Sequence, residues 1–176
     1  MTVIDTARTR VKSLARAQQD RYAGDADRPI GGYAATMSVY AGVVGALAAG
    51  ARVTGREVPD GLPVTDVALS ALATHKLSRL LARDPVTSPL RMPFTAYQGA
   101  AGPAELREEV RGSGARKTVG ELITCPFCTG VWVATAFTVG LVYLPRTTRL
   151  AIGTFASLAG ADMLQFARSW LEKQTS

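Results

Sequence analysis

Two thiols three residues apart, Cys125 and Cys128, head a long apolar run: Gly120-Glu-Leu-Ile-Thr-Cys-Pro-Phe-Cys-Thr-Gly-Val-Trp132. Their spacing is that of half a zinc site, and His75 or Asp162 could complete it. A Cys-Pro-x-Cys at a helix start also suits thiol–disulfide exchange, because the helix dipole favours thiolate. Glu121 works against that by favouring the neutral thiol, and Arg116 and Lys117 offset it. A third use is packing, since cysteine is small and tolerated among apolar neighbours. The sequence leaves these three readings open. Pro126 cannot donate to the Leu122 carbonyl, so the helix either kinks there or starts near Cys125.

Other polar groups sit at similar depth in neighbouring apolar segments. His75 and Arg79 are four residues apart and share a helix face, with Lys76 beside them. Glu121, Cys125, Cys128 and Trp132 form one stripe on a continuous helix. Asp162 and Gln165 belong to the last apolar segment. An unpaired charge in hydrocarbon costs about 2.5–3.5 kcal/mol on insertion scales. The spacing therefore predicts an inward-facing cluster in which Asp162 or Glu121 pairs with Arg79 or Lys76. Such pairs can equally do no more than hold a bundle together. His75 is the only histidine, so no multi-histidine metal site can be built. Neither Gly102-Pro-Ala nor Gly112-Ser-Gly makes a phosphate loop. Nothing in this set demands catalysis.

The elements that must position these groups are helices. The chain has 176 residues, enough for one domain, and 47% are apolar. Residues 31–51 and 122–145 carry no charge, and 150–167 carry only Asp162. Runs of that length match a bilayer, which needs about 20 mostly apolar residues per helix. The expected fold is all-α: a four-span transmembrane helical bundle with spans at about 32–51, 62–81, 120–144 and 149–171. The second is the weakest, because it holds Asp66, His75, Lys76 and Arg79. Residues 1–30 form a separate basic segment, expected as an amphipathic helix from the spacing of Val3, Ile4, Ala7, Val11, Leu14 and Gln18. A solvated tail is the alternative. Asp25-Ala-Asp-Arg-Pro29 breaks that helix. The polar loop 83–118 is turn-rich as far as Phe94 and predicts a short helix over 103–111, with Pro103 at its start. Small residues four apart, such as Gly42 and Ala46, Gly45 and Ala49, and Gly153 and Ser157, predict close helix crossings within the chain.

The net charge of +6 is placed for a membrane rather than for nucleic acid. Six Lys and Arg fall in 1–30 and six in 83–118, with Arg168 and Lys173 near the end. The opposite side has four: Arg52, Arg56, Arg146 and Arg149. The positive-inside rule then puts both termini and the 83–118 loop in the cytoplasm. Residues 1–30 lack the apolar core of a secretory signal. The expected partners are the bilayer, its anionic headgroups, and a protein partner or second copy. Zinc is the one cofactor the residues suggest.

One string of motifs resembles a known family. His75-Lys76-x-x-Arg79, Asp84, Pro89-x-Arg91-x-Pro93-Phe94 and the Cys-Pro-Phe-Cys-Thr-Gly-Val-Trp132 segment are similar to those of the domain-of-unknown-function family 1360, over roughly residues 62–170. The resemblance implies a small bacterial integral membrane protein, of a kind found in some spore-forming bacteria and actinobacteria. It directs attention to His75, Arg79, Arg91, Glu121, Cys125 and Cys128 and assigns them no role.

Overall fold

The computed structural model describes residues 3–24, 26 and 28–175. In chain order the helices are α1 (Val3–Ala23), α2 (Ile30–Val53), α3 (Val64–Arg83), α4 (Ser88–Arg91), α5 (Gly114–Thr124), α6 (Pro126–Tyr143) and α7 (Pro145–Thr175). A 3-10 turn, Pro85–Thr87, precedes α4, and strands β1 (Thr95–Gly102) and β2 (Glu105–Val110) lie between α4 and α5. Asp25 and Asp27 of the expected helix break lie outside the described residues, as do the side chains of Val3, Ile4, Ala7, Arg8 and Lys12.

Helices α2, α6 and α7 are each long and apolar enough to cross a membrane. Their directions follow from contacts between them. Tyr33 of α2 meets Glu121 just before α6, Tyr40 shares a 2.8 Å hydrogen bond with Thr135, and Tyr143 donates to the Leu47 carbonyl at 2.7 Å. Helices α2 and α6 are therefore parallel, with their starts together. The chain must come back between them, and α3 is the helix that returns. It runs parallel to α7, with Asp66 bound to Arg149 at 2.8 Å and Lys76 to Asp162 at 2.6 Å. Ala73 and Ala82 of α3 are wholly buried, and Ala73 joins Val133, Phe137, Leu141 and Ile152 in the core. Small side chains let α3 approach two neighbours closely, which offsets its modest apolar content.

The end of the bundle where α2 and α6 begin carries a polar cap made of the β-hairpin, α4 and α5. The all-α expectation is corrected here, since residues 105–110 are a strand and not a helix. Along β2 the side chains of Leu106, Glu108 and Val110 are partly covered while Arg107 and Glu109 face out, a period of two. Pro103 occupies a two-residue hairpin loop between Gly102 and Glu105 rather than a helix start. Ala104 follows it at φ 57°, the left-handed position that a type II turn requires.

The third expected span is not continuous. Cys125 is extended (φ −100°, ψ 109°) and separates α5 from α6. A residue before proline is pushed out of the helical region, and Pro126 has no N–H to give the Leu122 carbonyl. The Thr129 hydroxyl lies 3.1 Å from both that carbonyl and the Cys125 carbonyl and shares its proton between them. The small-residue pairs also pack differently from expectation. Gly42, Gly45 and Gly153 face open space, and the tight helix approaches occur at Gly32 against Thr118 and at Gly140 against Thr148.

Candidate functional site

Arg91, 1% exposed, is the largest fully buried side chain among the described residues. Its position follows from local chain geometry. Asp84 caps the turn after α3 by accepting from the Val86 N–H at 2.9 Å, and Pro85 and Pro89 open the two short helical turns that follow. Those turns bring Arg91 back beneath the end of α3. Its Nη1 donates to the Leu81 carbonyl at 2.8 Å and to Thr87 Oγ1 at 2.7 Å, and its Nη2 donates to the Asp84 carbonyl at 3.0 Å. Nε pairs with Glu108 of β2, and the Thr95 hydroxyl shares its one proton between the Arg91 carbonyl (3.0 Å) and Glu108 Oε1 (3.3 Å). The guanidinium thus satisfies carbonyls at the C-terminal end of a helix and neutralises a buried carboxylate at once. Glu108 was hidden from sequence reasoning, because an inward-facing carboxylate disguises a strand's apolar alternation. Two more arginines fix the same loop: Arg111 donates to Met92 O at 2.7 Å and Arg116 Nε to Pro93 O at 2.9 Å.

The thiols lie at the junction of this cap with the bundle. Cys125 is half-buried and caps α6, accepting at Sγ from the Cys128 N–H at 3.4 Å. The Cys128 side chain is exposed, and its own backbone N–H reaches the Cys125 sulfur, so the two thiols lie side by side at the surface. Phe127 between them is 89% exposed. Arg83, at the end of α3, lies near enough to act on Cys125 electrostatically. The extended geometry of Cys125 breaks the expected stripe: Glu121 belongs to α5, and Cys128 and Trp132 to α6. Trp132 packs edge-on against Tyr40, with ring centroids 5.2 Å apart.

The polar groups expected to form one cluster are shared among several. Lys76 pairs with Asp162, one of the combinations predicted. Arg79 instead pairs with Glu105 at the start of β2, tying α3 to the hairpin. Glu121 accepts a hydrogen bond from the Tyr33 hydroxyl on α2. Gln165 is exposed on α7. His75 is exposed and, with Arg79, Pro126 and Phe127, lines a cavity of about 560 Å³ between α3 and α6. Among the described residues, no three or more His, Cys, Asp or Glu come together to hold a metal ion.

Comparison with known proteins places this arrangement. A family model described as a protein of unknown function (DUF1360) matches residues 69–168. That range runs from the middle of α3 through the hairpin and thiols into α7. A Bacillus subtilis (strain 168) protein named "Sporulation protein YjcA" is 31% identical over 111 residues, which is 61% of this chain and 94% of that protein. No solved structure matches the chain.

Proposed function

Because the chain belongs to the DUF1360 family, we propose on physical grounds that it is a non-enzymatic, multi-pass protein of the bacterial cytoplasmic membrane. In this reading it has four spans, and its cap and α1 form a basic cytoplasmic face for anionic lipid headgroups and a protein partner. The observation that carries the lipid part is α1. Its Val11, Leu14 and Tyr22 are exposed alongside Arg10, Arg16 and Arg21. A helix with basic residues and uncovered apolar side chains gains most by lying in the headgroup layer of an anionic leaflet.

Two further arguments support the topology. Helices α2 and α6 start together, so if both cross a bilayer the intervening chain must cross back, and α3 is the segment available. The charge asymmetry then favours a cytoplasmic cap and cytoplasmic termini. Not every arginine counted for that face is free for lipid: Arg91 is enclosed, and Arg111 and Arg116 bind loop carbonyls. Arg10, Arg16, Arg21 and Arg107 are exposed. The relative named for sporulation fits a bacterial setting.

The test is hydrogen exchange of the full chain in nanodiscs of phosphatidylcholine with and without phosphatidylglycerol. We expect α1 amides to slow only in the anionic discs. Equal exchange in both would remove the lipid-facing role. A C-terminal reporter that matures only outside the cytoplasm would overturn the orientation.

A further inference from the structure

We propose that Cys125 and Cys128 from two copies of this chain jointly hold one zinc ion in a four-thiolate site, joining two molecules at the cap end of the bundle. The inference is independent of lipid binding by α1 and rests on how the thiols are presented. Both are free, and they lie side by side because Cys125 is extended while Cys128 lies one turn into α6. The Cys128 N–H already donates to Cys125 Sγ. Hydrogen bonds to the ligand atom are what orient a metal-bound thiolate and moderate its charge.

Among the described residues no third His, Cys, Asp or Glu joins the two thiols, His75 included. Asp162 is bound to Lys76, and Glu121 accepts from Tyr33. The thiols face outward instead, with Cys128 and Phe127 exposed. Zinc takes four ligands in a closed tetrahedral site, and two Cys-x-x-Cys pairs supply them. A two-fold axis provides the second pair from the same surface patch. Two copies inserted with the same orientation in one membrane present their cap ends at the same height, so that axis can lie along the membrane normal. Phe127 and its symmetry mate would then be covered at the contact. Arg83, near Cys125 in each copy, offsets the excess negative charge of four thiolates around a divalent ion. As the four Zn–S bonds form, four thiol protons pass to the solvent, two from each chain.

The experiment uses the full chain purified in mild detergent and loaded with zinc. Metal content and the protein mass within the micelle are measured together. We expect one zinc per two chains, a protein mass twice that of one chain, and return to single chains on chelation. Cobalt in place of zinc should give the absorption of a four-thiolate tetrahedral centre. Cys125→Ser and Cys128→Ser should each abolish metal retention and dimerisation. If these variants fold poorly, chelation of the unaltered chain still decides the matter. No retained zinc, one zinc bound by a single chain, or a dimer that survives chelation would each overturn the proposal.

Discussion

Helix α2 has the composition of a membrane span, yet the rest of the chain fully buries only Ala51 of it. Helix α3 carries five ionisable residues, Asp66, His75, Lys76, Arg79 and Arg83, and holds two positions with no exposure at all. The difference separates two properties that hydropathy merges. Apolar composition all round marks a helix facing hydrocarbon. A helix enclosed by its neighbours needs small residues where it is crossed and partners where it is charged. For α3 those partners are Arg149, Asp162 and Glu105 along its length, and Arg91 at its end.

The largest effect should therefore come from the end of α3. Arg91→Ala leaves Glu108 buried without its countercharge and frees the Leu81 and Asp84 carbonyls. Removing one member of a buried ion pair costs about 3–5 kcal/mol. We expect a loss of that order in denaturant unfolding of the purified protein. Adding Glu108→Leu should recover only part of it, because the Leu81 and Asp84 carbonyls still lack the guanidinium donors. A cost near that of a surface substitution, within about 0.5 kcal/mol, would show that the cap does not hold α3.

Next comes the contrast between the helices themselves. Ala73→Leu in α3 forces a larger side chain into a closed contact, and overpacking costs about 1–3 kcal/mol. Ala46→Leu on the exposed side of α2 should change stability by less than about 0.5 kcal/mol. Equal costs at the two alanines would mean that α2 is covered by something outside the chain, a second copy included.

Much of α2, α6 and α7 was legible from uncharged runs, because a bilayer imposes a simple length and composition rule. The cap was not. Glu105-Leu-Arg-Glu-Glu-Val110 has a helix-like composition, and only the pairing of Glu108 with Arg91 makes an inward carboxylate tolerable in that strand. The loop is just as opaque, since Ala104 occupies a left-handed position where glycine would have announced a turn. The break at Cys125 was half legible: Pro126 predicts that the helix is interrupted, but not that the Thr129 hydroxyl reaches the Leu122 carbonyl. Of the charged groups, the sequence could suggest Lys76 with Asp162 by depth alone. It could not find Arg79 with Glu105, which depends on where an unforeseen hairpin lies.

The smallest expected effect is also the most direct probe of what surrounds α3. Lys76 and Asp162 are partly exposed in the isolated chain, and so are Asp66 and Arg149 nearer the opposite end. In water such pairs contribute about 0–1 kcal/mol and fade with salt. Between helices in a membrane, polar contacts average about 0.6 kcal/mol by double-mutant cycles, so magnitude alone does not separate the settings. Salt dependence does. A Lys76→Met and Asp162→Asn cycle in nanodiscs should give a coupling of about that size. It should persist at high ionic strength if lipid and α7 shield the pair. A coupling that vanishes with added salt would place the middle of α3 in contact with water. The helix would then line an aqueous path rather than fill the centre of a closed bundle.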